Sequence, residues 1–60
     1  MKIKFEFYNP NDMSLIETVT TDWVSWNQVM KFGEIHSQSL MITLNLNSVV
    51  WDYIVLDKNA

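Results

Sequence analysis

LMITLNLNSVVWDYIVL, residues Leu40–Leu56, alternates apolar and polar side chains over most of its length. Leu40, Ile42, Leu44 and Leu46 fall on one parity, Met41, Thr43 and Asn45 on the other. Beyond Asn47-Ser48, the residues Val49, Trp51, Tyr53 and Val55 again share a side. Period two is the mark of a strand with one face turned to a core. A two-residue turn at Asn47-Ser48 sets Leu46 against Val49, Leu44 against Trp51, Ile42 against Tyr53 and Leu40 against Val55. Every pair is apolar on apolar, and a one-residue slip would destroy all four. The turn itself is the weak point, since Asn-Gly rather than Asn-Ser is the strong two-residue signal. The stretch predicts a C-terminal hairpin.

The N-terminal end repeats the pattern. In Lys2–Tyr8, Ile3, Phe5 and Phe7 alternate with Lys2, Lys4 and Glu6, which predicts a strand with one wet face. Asn9-Pro10-Asn11-Asp12 stops it, because proline lacks a donor and Asn and Asp bond their own backbone in turns. Leu15–Thr21, LIETVTT, is rich in β-branched residues and predicts the hairpin partner. Its inward face is ambiguous, with Leu15 and Val19 set against Ile16 and Thr18.

Between the hairpins, DWVSWNQVMKFG (22–33) carries a helical period. Asp22 suits an N-cap, and Ser25 with Gln28 three residues on offers a capping box instead. Trp23, Trp26, Val29, Met30 and Gly33 share one face of a 100° wheel, opposite Asn27, Gln28 and Lys31. Gly33 suits a left-handed C-terminal position, which ends the helix near Phe32. Trp26, Val29 and Met30 are the expected contacts with the sheet, and Trp23 is expected at the rim.

The expected architecture is therefore α+β, in the order ββαββ: one domain over 1–60, a four-stranded antiparallel sheet with a helix on one face. The tail Asp57-Lys58-Asn59-Ala60 is polar and expected to fray. On the uncovered face, the predicted register places Met41 opposite Ile54 and Thr43 opposite Asp52. Met41, Val50, Ile54 and Leu56 then form an exposed apolar patch, of the kind that marks a contact site. These four are the predicted homodimer interface.

Size makes such a contact useful. A 60-residue chain buries only about 60% of its unfolded surface, and its core alone supplies roughly 3–5 kcal/mol. Cysteine is absent, so disulfides and thiolate metal sites are excluded, and the single histidine, His36, makes no imidazole-only zinc site. No cofactor is implied. No apolar run reaches the ~20 residues of a membrane span, and the N-terminus does not read as a signal peptide, so a cytoplasmic location is expected.

Charge and chemistry narrow the function. Seven acidic residues against four lysines and no arginine give a net charge of −3, with a pI near 4.6. Nucleic-acid domains more often exceed a pI of about 9 and use arginine forks. A single glycine excludes a phosphate-cradling loop. A nucleophile–base pair would have to join His36 to Ser37, Ser39 or a threonine, with Glu34 to orient it, and sequence adjacency does not imply those spatial roles. No paired carboxylates recur at a spacing suited to acid–base work. The sequence points away from an enzyme.

What remains is a small acidic protein-binding module: a regulator or inhibitor that occludes a basic protein surface and acts as a homodimer. Trp23 is the expected aromatic anchor, with Asp22, Glu34 and Asp52 as steering carboxylates. Six asparagines beside four lysines and no arginine fit an A/T-rich coding sequence, and the small acidic format is in keeping with a phage or mobile-element protein. The expected compartment is then the host cytoplasm. The alternative is a single-stranded nucleic-acid binder that uses Lys2 and Lys4 with the strand aromatics Phe5, Phe7 and Tyr8.

Overall fold

The computed structural model describes residues 1–57; the predicted fraying at Lys58, Asn59 and Ala60 falls outside them. The chain runs β1 (Lys2–Tyr8), β2 (Leu15–Asp22), α1 (Trp26–Leu44) and β3 (Val50–Val55). It is an α+β fold, with one helix and a three-stranded antiparallel sheet in the order β2-β1-β3.

β1 sits in the centre because it has the strongest apolar face. Ile3, Phe5 and Phe7 are fully buried and form the core with Val29 of the helix. Burying a side chain of this kind contributes about 1.5–3 kcal/mol. On one side β1 pairs with β2, Phe5 opposite Val19 and Ile3 opposite Thr21. On the other it pairs with β3, Phe5 opposite Tyr53 and Phe7 opposite Trp51. Val19, Trp51, Tyr53 and Val55 pack against the same core.

The ambiguity in β2 resolves through an irregularity. Phe7 faces Glu17 while Tyr8 faces Leu15, so Ile16 has no partner across the strand. One extra residue reverses the parity, as a bulge does. Leu15 and Val19 therefore take opposite faces, although simple alternation would put them together. The hairpin loop is held by its polar side chains. Asn9 Oδ1 accepts from the Asn11 N–H at 2.9 Å. Asp12 Oδ1 accepts from the Ser14 N–H at 3.0 Å and from its hydroxyl at 2.8 Å. Met13 takes a left-handed backbone, φ 59°.

The helix corrects the largest expectation. It does not end at Phe32, Gly33 is not its cap, and the fourth strand expected at Leu40–Leu46 is helical. No hairpin turns at Asn47-Ser48, and β3 pairs with β1 instead. Met41 consequently does not oppose Ile54, nor Thr43 Asp52; Lys4 and Glu6 do. The start matches the second of the two caps read from the sequence. Ser25 Oγ accepts from the Gln28 N–H at 3.3 Å, and the Gln28 side chain accepts from the Val24 N–H at 2.9 Å.

Gly33 acts through its size. It is buried with Val29 and Ser37 on the face turned to the sheet, and the Trp51 ring lies directly on it. A β-carbon there would stand under 3.0 Å from three carbons of that ring. The helix ends at Asn45, which is left-handed at φ 56°, ψ 47°. The Asn45 N–H reaches Ile42 C=O at 3.3 Å, and the Leu46 N–H reaches Met41 C=O at 2.9 Å. Two such back-bonds are the Schellman closure, with asparagine in the place glycine usually takes.

Helical geometry accounts for the misreading of 40–46. Leu40 and Leu44 are spaced four apart and satisfy the 3.6 period as well as the period of two. The residue that distinguishes the two states is Ile42, which the helix leaves 82% exposed.

Candidate functional site

The two flanks of the helix differ. Val29, Gly33 and Ser37 define its midline over the sheet. On one flank, Phe32 packs on Trp23 with ring centroids 5.4 Å apart, and His36 reaches Glu17 of β2 at 2.5 Å. On the other, Trp26 lies 5.7 Å from Tyr53 of β3. One flank thus belongs to β2 and the other to β3, and each exposes apolar surface.

On the β2 flank, Trp23, Gln28, Lys31, Phe32 and Ile35 line an open groove of about 230 Å³. Apart from Lys31 and Gln28 its walls are apolar, and Ile35 is 59% exposed. Trp23 is held there from both ends. Its N–H donates to Met1 C=O at 2.8 Å, and its C=O accepts from the N-terminal ammonium at 2.7 Å. The indole is half-buried, and among the described residues its Nε1 has no hydrogen-bond acceptor. A buried donor without a partner is costly, by about 1–3 kcal/mol.

On the β3 flank, the strand edge is open. The Leu56 N–H donates to Lys2 C=O at 2.9 Å. Antiparallel alternation from that bond turns the backbone groups of Ile54, Asp52 and Val50 towards β1. Those of Trp51, Tyr53 and Val55 then point to the free edge. The Tyr53 N–H is covered by its own neighbour, donating to Asp52 Oδ1 at 2.7 Å. Above this edge Trp26 and Met30 are exposed; below it Val50, Ile54 and Leu56 are exposed.

The residues singled out in the sequence are therefore scattered. Trp23 lines the groove and Asp22 precedes it at the end of β2, exposed. Glu34 lies on the outer side of the helix, and Asp52 on the opposite face of the sheet, guarding the β3 edge. These four do not converge on one surface. Val50, Ile54 and Leu56 do share the outer face of β3, as the alternation predicts, but Met41 is half-buried on the helix. Sequence reasoning missed Ile35, and it expected Met30 against the sheet, where the helix leaves it 45% exposed. Ile35 joins the groove only because the helix continues past Gly33.

His36 makes no pair with a serine. Its Nε2 meets Glu17, its ring stacks on Phe32 at 5.1 Å, and its edge meets Phe7 at 4.9 Å. The Ser37 hydroxyl donates instead to Glu34 C=O at 2.8 Å. Phe5 and Phe7 are wholly buried, so neither offers a ring to a nucleobase. On the outer face Tyr8 lies beside Val50, with Glu6 and Asp52 paired one step along. Partial burial, then the Glu6 and Asp52 carboxylates, raise the Tyr8 phenol above its ordinary value. Among the described residues, no group of three or more metal-ligating side chains comes together, and no helix is long and apolar enough to cross a membrane.

No family model matches the chain, and no curated protein or solved structure is significantly similar to it.

Proposed function

We propose that the chain is a small acidic protein-binding module that acts as a homodimer and regulates or inhibits another protein by covering part of its surface. One observation carries the reading. Among the described residues four apolar side chains are fully buried while eleven large ones are exposed, and that excess is what partners would cover. Five of the eleven, Trp26, Met30, Val50, Ile54 and Leu56, border the β3 edge, and Ile35 lines the Trp23 groove on the opposite flank of the helix. The rim of β3 suits a second copy, and the Trp23 groove suits the target. A net charge of −3 without arginine favours a target with a basic surface. A cytoplasmic site of action, in a host cell if a phage encodes the chain, belongs to the same proposal.

The test separates the groove from the fold. Trp23→Ala would also strip Phe32 of its neighbour, so Ile35→Lys is the better variant: Ile35 lines the groove and is already exposed. Tagged wild-type chain should retain a stoichiometric protein from a lysate of its own cell, and Ile35→Lys should lose it with an unchanged circular dichroism spectrum. Absence of any stoichiometric partner, or full retention by the folded variant, would overturn the target-binding half of the proposal.

A further inference from the structure

We infer that two copies join through the free edge of β3, antiparallel about Tyr53, so that two three-stranded sheets become one of six strands. The inference rests on the homodimer proposed above and names its geometry. Antiparallel pairing on this edge must use the outward groups of Trp51, Tyr53 and Val55, which restricts the register. Centred on Tyr53, it sets Trp51 opposite Val55 of the second copy on the helix side. On the outer side it sets Val50 opposite Leu56, and Asp52 opposite Ile54.

Charge rejects the nearest alternative. A register one step towards the N-terminus would place Asp52 directly against Asp52, and like charges opposed across strands are destabilising. A step the other way shortens the overlap within Val50–Val55. Of the other acids, Glu6 lies one strand in, opposite Asp52, and Asp57 is engaged by the Lys2 N–H, which donates to its Oδ1 at 2.7 Å. Asp12 lies in the hairpin loop, Glu17 and Asp22 on β2, and Glu34 on the helix one turn beyond Met30.

The surface available is of the right order. Trp26, Met30, Val50, Ile54 and Leu56 expose between 41% and 49% of their areas, which amounts to roughly 400 Å² of apolar rim. A stable interface covers about 800 Å² per partner. The strand backbone and the half-buried margins of Trp51, Tyr53 and Val55 lie between the two rims and extend the contact. The edge of β2, the other free edge, lacks this enclosure: apart from Leu15 at one end, its outward-face residues Thr18, Thr20 and Asp22 are polar. Asp52 is the guard on the pairing edge. Its carboxylate holds the Tyr53 N–H and must release it for the second copy's Tyr53 C=O, a blocking device of the kind edge strands use.

The chain has no cysteine, which makes cross-linking clean. In the double variant Asp52→Cys/Ile54→Cys, the two thiols of one chain are two residues apart along a strand and belong to different bonds. Across the proposed axis, position 52 meets position 54 as a non-hydrogen-bonded pair about 4.5 Å apart at Cα, within disulfide reach. Mild oxidation should give a covalent dimer that survives denaturing gels, while Thr20→Cys, on the β2 edge, should remain monomeric. Sedimentation of wild-type chain supplies the second arm. A sedimenting dimer whose 52/54 variant fails to cross-link, or whose Thr20→Cys variant does so instead, overturns the β3 pairing and leaves the homodimer standing. A monomer at about 100 μM overturns both.

Discussion

Gly33→Ala is the substitution on which two physical effects compete most openly. In a helix interior, alanine is favoured over glycine by about 0.8–1.0 kcal/mol. Against this, the new methyl would stand under 3.0 Å from Cζ3, Cη2 and Cε3 of Trp51. That ring is not a free-swinging tip. It lies 6.3 Å from Phe5 and 6.4 Å from Tyr53, with the sheet behind it. Overpacking of this kind costs about 1–3 kcal/mol. The strand must give or the helix must lift, so the upper part of that range applies and the net loss is about 1–2 kcal/mol. For a domain of this size the melting temperature falls by roughly 4–8 °C per kcal/mol. The assay is urea or thermal unfolding at one fixed protein concentration, because self-association shifts apparent stability. The decisive arm is the same change in a Trp51→Leu background. With the ring gone, the propensity gain is unopposed and Gly33→Ala should become stabilising by about 1 kcal/mol. A variant more stable than wild type with Trp51 present, or no reversal of sign without it, would refute the account of why glycine occupies this position.

Four further outcomes follow from local geometry. Ser25→Ala removes the oxygen that accepts from the Gln28 N–H and should cost about 1 kcal/mol in equilibrium unfolding. Met13→Gly should stabilise by about 0.5 kcal/mol, since Met13 is exposed and held at φ 59°. The Asp12 carboxyl is held below the ordinary 3.8 by the Ser14 N–H and then by the Ser14 hydroxyl. A lowered folded pKa gives stability that is full above the unfolded value and lost as pH falls through the folded one; carboxyl NMR titration should show Ser14→Ala moving Asp12 partway back up. A double-mutant cycle of Glu17→Ala and His36→Ala should give a coupling below about 1 kcal/mol at neutral pH, because the pair is partly solvent-exposed.

Much of the sheet was legible because its signals are local. Ile3, Phe5 and Phe7 declare their burial by alternation alone, and so do Trp51, Tyr53 and Val55. The exposed parity of β3 was legible for the same reason, which is how Val50, Ile54 and Leu56 could be grouped before their strand's neighbour was known. The extent of the helix was hidden. Gly33 carries two meanings, a cap through its backbone freedom and a seat for a ring through its lack of a side chain, and only Trp51, eighteen positions away, decides between them. Leu40–Leu46 fits either period, and the helix holds with Ile42 in water because Leu40 packs on the core and Asn45 closes the end. The Trp23 groove was half legible: Trp23 was marked as a rim residue, but Ile35 belongs to the groove only if the helix passes Gly33. The scattered carboxylates Asp22, Glu34 and Asp52 could not be resolved, since their separation is set by which sheet face and helix side each one takes.

The central place of β1 also bears on when the chain can fold. Of the four elements Lys2–Tyr8 leaves the ribosome first, yet that strand's second neighbour, Val50–Val55, is the last of them to emerge. A nascent chain halted anywhere in the helix would therefore display Ile3, Phe5 and Phe7 on a bare two-stranded ribbon, too small to persist in water. Folding must await the release of Val50–Val55, and a ribosome stalled before Val50 would hold a sticky, chaperone-dependent chain.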